Sequence, residues 1–148
     1  NIDSQFSELK ITKANNLLFT SKYDEIDISS INNCTIDASF TEMNITHLTN
    51  TLDSDMTYGG LDIDDTDANF EKLDLTLSFT NAELNINNNS AYRIDAKLSF
   101  GSMELPAQHA ITVDKKGYTS KTYTGTVGQN KSPLSMVIIR GKNAYIEL

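Results

Sequence analysis

The sequence has little of several residues that would indicate particular classes of protein. Its 148 residues include one cysteine, two prolines, seven glycines and no tryptophan. A single cysteine permits no internal disulfide, and so little glycine and proline excludes collagen-like and low-complexity chains. No run of about 18 apolar residues is present, so no segment has the composition of a transmembrane helix.

Positive charge is also scarce. Twenty Asp and Glu face twelve Lys and Arg, which gives a net charge of −8 and an isoelectric point of 4.6. This balance argues against nucleic-acid binding, because phosphate recognition requires a basic surface. Residues 1–75 hold fifteen acidic and four basic groups, net −11, whereas residues 76–148 hold five and eight, net +3. Such an axial dipole favours end-to-end self-association, although ordinary surface composition is the simpler explanation.

Small polar residues are what the chain has in excess, with 15 Asn, 14 Ser and 16 Thr. The apolar fraction of 39% is enough for a core of ordinary size, and the length fits one domain. The chain starts with Asn, and no signal-peptide core or lipid-attachment cysteine follows it. We therefore expect a processed or trimmed product.

A short segment recurs six times, and each copy is centred on an aromatic residue. The six aromatics are Phe6, Tyr23, Phe40, Tyr58, Phe79 and Phe100. In every copy the third and fifth residues after the aromatic are apolar, and the residue between those two is polar. Upstream of the aromatics the alternation has the period of two that is typical of strands, as in KLDLTLSF (72–79) and RIDAKLSF (93–100). This alternation predicts that the aromatic faces inward with the apolar residues before it.

The aromatics are 17, 17, 18, 21 and 21 residues apart, which is too short for a propeller blade. The spacing fits one coil of a parallel β-helix, whose successive coils stack about 4.8 Å apart. We predict one all-β domain over residues 1–148, a right-handed parallel β-helix of about six coils over 1–105. Asn15–Asn16, Asn32–Asn33, Asp64–Asp65 and Asn87–Asn89 are predicted corners.

The final stretch, residues 106–148, differs from the repeats. Lys115–Gly117 and Gly128–Asn130 are predicted turns of a β-hairpin, and AYIEL (144–148) is predicted to be a degraded last coil with Ile146 and Leu148 facing inward. The end of a solenoid exposes unpaired backbone, so it requires a cap. We assign this role to the C-terminal hairpin and capping strands.

The stacked S-F-x-x-h-x-h segments (h is apolar), ending in YRIDAKLSFGSMELP (92–106) and a Lys- and Thr-rich hairpin, resemble a known family. They are similar to the Bacteroides-type bacterial auto-transporter adhesins, the head GIN domain-like β-helix proteins. The resemblance covers residues 20–148 and implies a right-handed parallel β-helix on an exported, cell-envelope chain. It implies no enzymatic activity and brings no catalytic residues. The chain has fewer glycines in its repeats than the family usually carries.

Acidic residues are the densest chemical feature. If the coils align on the aromatics, Asp53, Asp74 and Asp95 form one outward column, and Asp37 and Asp55 lie in the next, with Lys97 above them. Carboxylates about 5 Å apart on neighbouring strands repel one another, so a cation, a basic partner or solvent must offset the repulsion. The alternatives are a solvated acidic face, which is the simpler, and a calcium site.

An enzyme of the pectin-lyase-like kind is the main alternative class. Asp64–Asp65 resembles the paired aspartates of β-helix carbohydrate-active enzymes, which also need a His or Arg partner. His47 and His109 lie in other sequence contexts, and Arg93 is distant. We expect His47 to be a corner residue and the chain to lack catalytic activity.

Three further residues have a structural and a functional interpretation. Cys34 falls among inward residues, so a buried structural thiol is favoured over a nucleophile. Tyr118 and Tyr123 of the hairpin would bind sugars if exposed, whereas packing against the last coil is the ordinary alternative. GTVGQNKS (125–132) departs from a phosphate loop, because Asn precedes the Lys and no helix is predicted after it.

The sequence therefore predicts a non-catalytic, exported scaffold at the cell surface, outer membrane or periplasm. It would present polar columns to an unknown protein or glycan ligand, with no nucleic acid, cofactor or metal involved. A β-helix carbohydrate-active enzyme and a self-assembling structural module of the envelope are the alternatives.

Overall fold

The computed structural model describes residues 1–107 and 109–148, which form thirteen strands joined in one sheet. The first seven strands are β1 (Ile2–Gln5), β2 (Glu8–Ile11), β3 (Ala14–Lys22), β4 (Glu25–Ile28), β5 (Ile31–Ile45), β6 (Leu48–Ile63) and β7 (Lys72–Leu84). The other six are β8 (Tyr92–Ser99), β9 (Ser102–Glu104), β10 (His109–Lys116), β11 (Ser120–Val127), β12 (Ser135–Lys142) and β13 (Tyr145–Glu147). The all-β prediction is confirmed.

None of the described residues belongs to a helix long and apolar enough to cross a membrane.

Strands form where apolar and polar residues alternate. In β7 the side chains of Leu73, Leu75 and Leu77 are fully buried, whereas Asp74 and Thr76 between them are partly exposed. Alternation places one set of side chains in the core and the other towards solvent. The inward residues of the strands join in a single hydrophobic cluster.

Each repeat has two arms, one on either side of its aromatic residue. The first arms pair in parallel in the order β1, β3, β5, β6 and β7. The second arms pair in parallel as β2, β4 and the ends of β5, β6 and β7. Register partners are 17 residues apart at first (Ser4 with Ser21), then 18 (Ser39 with Thr57) and 21 (Thr57 with Ser78). The predicted alignment of the first five repeats is confirmed.

The aromatic residue forms the corner between the two arms, and the prediction that it faces inward is wrong. All six aromatics have a positive φ of 51° to 59°. A left-handed residue interrupts the strand alternation, so Phe40 points outward, while Thr41 after it is buried. The apolar positions therefore resume three residues after the aromatic, at Met43.

The C-terminal segment is not a cap throughout, which corrects the prediction. β12 lies between β7 and β8 and is parallel to both, and β13 lies between β7 and β9. Only β10 and β11 form an antiparallel hairpin at the end, with β11 on β8. Ile146 is buried and Leu148 packs against the core, so both face inward as predicted, but their repeat lies inside the stack.

Asparagines stack along the first arms. Asn15–Asn16 and Asn32–Asn33 were predicted corners, but they lie within β3 and β5. The Asn33 amide nitrogen donates to Asn16 Oδ1 at 2.8 Å, and that of Asn50 donates to Asn33 Oδ1 at 2.9 Å. Part of the asparagine excess therefore forms side-chain ladders along the sheet rather than turns.

Candidate functional site: the aromatic column

The corner aromatics form a column of exposed, stacked rings that runs across the strands at the corner between the two arms. We call Phe6, Tyr23, Phe40, Tyr58 and Phe79 the aromatic column. Successive ring centroids are 4.8 to 4.9 Å apart, and the planes of neighbouring rings differ by 6° to 15°. The side chains are 43% to 72% exposed. The ring spacing equals the strand spacing, because each ring is fixed to the same corner of its repeat.

Two acidic columns lie beside the rings on the second arms. The first consists of Glu8, Glu25 and Glu42, which follow their aromatics by two residues and pair in register. The second column lies on later strands and four residues after the corner. Its members, in order of register along the stack, are Asp62, Glu83, Glu147 and Glu104.

The acidic columns are electrostatically strained. Burial and then the carboxylates of Asp62 and Glu25 raise the pKa of Glu42. Burial and then the carboxylates of Glu83 and Asp64 raise the pKa of Asp62. Like charges on adjacent strands disfavour the ionised forms, so both groups would gain from a cationic neighbour.

A basic residue contacts the aromatic column at its second ring. The Lys22 ammonium lies 5.5 Å from the Tyr23 ring centroid, in the geometry of a cation–π interaction. Lys22 immediately precedes the corner residue, so that position places a side chain over the ring of its own repeat.

The column is interrupted after Phe79 by the C-terminal repeat. Asn143, with φ 50°, takes the corner position, and its backbone nitrogen donates to Ser99 O at 2.8 Å. The Tyr23 nitrogen makes the equivalent bond to Ser39 O at 3.0 Å. Phe100 therefore occupies the corner two repeats beyond Phe79, with an asparagine between them.

The predicted aspartate column is only partly assembled. Asp53 and Asp74 are register partners, as predicted, but Ile138 lies between Asp74 and Asp95. Asp74 is bound at 2.6 Å by both Lys72 and Arg140. Burial raises its pKa, but the hydrogen bonds and positive charges of Lys72 and Arg140 together outweigh burial, so the pKa of Asp74 is lowered.

Basic side chains of the protein itself therefore neutralise the centre of the proposed calcium face. Within residues 1–107 and 109–148, no three His, Cys, Asp or Glu side chains are grouped so that they could hold a metal ion. Asp37 and Asp55 do pair as predicted. The inserted strand places Arg140, rather than Lys97, beside Thr76 in their column.

The Asp64–Asp65 pair has a histidine partner, which the sequence did not predict. His47 Nδ1 lies 2.9 Å from Asp65 Oδ2, and both side chains are partly exposed. His47 lies between β5 and β6, directly after a bend at Thr46, which is the predicted corner position. Asp64 and Asp65 also line an open cleft of about 650 Å³, together with Asn87 and Tyr92. The sequence contexts of the histidines did not indicate this contact, because it forms where the corners of neighbouring repeats meet.

The remaining candidate residues have separate outcomes. Cys34 is buried, as predicted, and burial raises the pKa of its thiol to about 12, so it is no nucleophile near neutral pH. Tyr123 is buried, whereas Tyr118 is fully exposed in the hairpin turn. The segment 125–132 continues from β11 into a bend, as expected for a segment that is not a phosphate loop.

No family model, curated protein or solved structure matches the chain. The resemblance to the head GIN domain-like adhesins stays a prediction.

Sequence reasoning missed the aromatic column, although a signal was present. Glu8, Glu25 and Glu42 recur at the same 17-residue interval as the aromatics near them. These glutamates are therefore neighbours on the surface. Each aromatic lies between a polar residue on one side and, two residues later, an outward glutamate, which is consistent with an outward corner at the aromatic. In the second acidic column Asp62, Glu83 and Glu104 recur at the 21-residue interval of their aromatics, but no interval indicates Glu147, because it enters the column from the far end of the chain.

Proposed function

We propose that the chain is a non-catalytic, exported binding scaffold of the bacterial cell envelope, folded as a right-handed parallel β-helix. The in-register parallel arms, the repeated left-handed corner and the single core cluster support the β-helix. Export and a role in adhesion are supported by the resemblance of the repeats to the head GIN domain-like adhesins.

The aromatic column is the observation that carries the binding role. Five large rings are ordered at the surface in one continuous line, rather than scattered. Contiguous exposed apolar surface on a folded protein is typical of a site of interaction. The corner position fixes the rings without further packing, so they require no large rearrangement to meet a partner.

The chemistry of the column favours a basic polypeptide as its partner. Neighbouring rings cover most of the faces of the inner rings, so sugars, which stack on whole ring faces, find mainly ring edges there. The acidic columns beside the rings favour cationic side chains and repel acidic partners. The acidic columns attract the charged ends of the side chains of an extended, Lys- or Arg-rich segment lying along the column, and the aliphatic stems of those side chains pack on the ring edges.

Peptide binding tests this proposal. A lysine-rich hexapeptide is expected to bind the intact chain in a salt-dependent way, and a glutamate-rich hexapeptide is not. Replacing Phe40 and Tyr58 together with serine is expected to weaken binding at least about fivefold, since two central rings are lost. The matched control replaces Thr20 and Thr35, exposed on the first arms, with alanine and should bind as the wild type does. Equal binding of the two peptides, or no effect of the double serine variant, would contradict the proposal.

The carbohydrate-active enzyme is a second candidate because His47 contacts Asp65 beside the cleft. A paired His and Asp can act as a general base, provided that a substrate reaches them. Incubation with polygalacturonate distinguishes the two functions. If the chain is a non-catalytic binding scaffold, no cleavage product of polygalacturonate is expected. Turnover that disappears in a His47→Ala variant would establish the enzyme instead.

A further inference from the structure

The gap in the aromatic column at Asn143 has the dimensions of one missing ring. Lys142 pairs in register with both Ser78 and Ser99, the residues that precede Phe79 and Phe100. Phe79 and Phe100 therefore stand two strand spacings apart, roughly 9.6 Å. Everywhere else in the column that distance contains a third ring stacked between two others.

The flanking side chains suit an aromatic occupant. Phe100 is 64% exposed, and Asn143 between the two phenylalanines is partly exposed. Lys142 is exposed and precedes the empty corner, as Lys22 precedes Tyr23. Because Lys22 lies over the ring of its own repeat, the equivalent position of Lys142 supplies an ammonium group for a ring in the gap.

The surroundings also indicate the source of the ring. The second acidic column crosses the same strands four residues beyond the corner, about 13 Å along an extended arm, where Glu147 lies between Glu83 and Glu104. One ring between two others offers little contact area, so flanking contacts with the carboxylates are needed for specific binding. An aromatic side chain within a basic peptide supplies both contacts, whereas a free aromatic molecule supplies one.

We infer that the gap between Phe79 and Phe100 binds one electron-rich aromatic side chain, a tyrosine or tryptophan, of a basic polypeptide partner. This inference rests on the proposed binding of a basic polypeptide and adds the residue that fixes its register on the column. The inserted ring completes the stack and receives the Lys142 ammonium.

The test compares two lysine-rich hexapeptides that differ only in a central tryptophan or alanine. The protein has no tryptophan, so the fluorescence of the tryptophan peptide reports its binding directly, and displacement of that peptide measures the binding of the alanine peptide. The tryptophan peptide is expected to bind about tenfold more tightly, from two ring contacts and one cation–π contact. The Asn143→Phe variant fills the gap and should abolish this preference. The Asn143→Gly variant keeps the gap and the left-handed corner, so it should retain the preference.

The outcomes separate this inference from the proposed function. A tryptophan peptide that binds no more tightly than the alanine peptide, or a preference that survives Asn143→Phe, overturns the ring site. Failure of the alanine peptide alone to bind contradicts the basic-partner proposal and leaves the ring site standing. If Asn143→Phe does not fold, Phe100→Ala removes one wall of the gap and should reduce the preference. N-acetyltryptophanamide binding as tightly as the tryptophan peptide would identify a free aromatic ligand and overturn the side-chain source.

Discussion

The two ends of the sheet are built from the same repeat but are assembled in different orders. In residues 2–84, which we call the N-terminal stack, each repeat pairs with the next one along the chain. In residues 92–148, β12 and β13 return from the end of the chain and separate two repeats that are consecutive in sequence. The strand order of the N-terminal stack follows from pairing between repeats that are consecutive in sequence. The strand order at the other end depends on pairing between segments that are far apart in sequence.

This difference changes the surface as well as the topology. The N-terminal stack repeats the same residue types at the same positions, so it produces uniform columns of rings, asparagines and carboxylates. The inserted C-terminal repeat keeps a carboxylate in the second acidic column, at Glu147, but introduces unlike residues at other positions. Arg140 binds Asp74, and Asn143 stands where a ring would be. Variation at the surface is therefore concentrated where the chain order is broken.

The largest expected effect comes from removing core contacts of the inserted strand. Ile139 is fully buried, and Ile139→Ala is expected to cost about 2–5 kcal/mol of unfolding free energy, because a cavity is left between β7 and β8. Denaturant unfolding measures the loss. In hydrogen-exchange measurements on Ile139→Ala, the backbone amides of β8 and β11 should exchange faster than in the wild type, while those of β3 and β5 remain protected.

The matched control is the neighbouring residue of the same strand. Ile138 points outward, so Ile138→Ala should cost well under about 1 kcal/mol. Equal losses for the two variants, or equal loss of protection in the N-terminal stack, would contradict the inserted position of β12.

A smaller effect is expected at the ion pairs between the two regions. Asp74→Asn should cost about 1 kcal/mol, since it removes the charge that binds Lys72 and Arg140 at a partly buried site. Asp53→Asn, its register partner, should cost nothing measurable, because it also relieves a like-charge neighbour.

The pH dependence has a definite sign. The pKa of Asp74 is lowered in the folded protein, so its contribution is present above the ordinary value of 3.8 and is lost as the pH falls through the lowered value. Thermal unfolding of the wild type and Asp74→Asn should therefore converge at acidic pH. A difference in unfolding temperature between the wild type and Asp74→Asn that grows as the pH is lowered would contradict this account.

The smallest effect is a gain in stability. The pKa values of Asp62 and Glu42 are raised, so their ionisation opposes folding. The contribution of these two groups to stability is greatest below their ordinary pKa values of 3.8 and 4.5, and it falls as the pH rises through the raised values. Asp62→Asn should add about 0.5 kcal/mol at pH 7 and nothing near pH 3, as measured by thermal unfolding.

Asp95→Asn is the control for this gain. The register partners of Asp95 are Ile138 and Thr124, neither of which is charged. Its substitution should leave the unfolding temperature unchanged at both pH values. A stabilisation as large as that of Asp62→Asn would show that net charge, rather than the acidic column, is responsible.

How far the sequence predicts the structure also differs between the two regions. Regular spacing predicted the register of the N-terminal stack, because a repeat that buries one face must align with its neighbour. It gave the wrong orientation for Phe40, because alternation carries no sign of a left-handed corner. The insertion of β12 was not predicted, since an apolar run such as LSMVIIR (134–140) fits a central strand anywhere in the sheet.

The same limit explains the candidate site. The regular spacing of the aromatics and carboxylates along the sequence predicts that they form columns. Their exposure depends on the left-handed corner, which the spacing does not indicate. The Arg140 contact with Asp74 joins residues 66 apart, and no interval in the chain connects them.

Cross-linking tests the inserted position of the last strand most directly. Cysteine pairs would be introduced at Ser78, Lys142 and Ser99 in a Cys34→Ser background, oxidised and mapped by mass spectrometry. Lys142 is in register with each serine, so the pairs 78–142 and 99–142 lie within the range of about 4.4–6.8 Å between Cα atoms that a disulfide requires. We predict that both form and that 78–99, two strands apart, does not. A disulfide between positions 78 and 99, with none to position 142, would show that the repeats stack in chain order and would contradict the account.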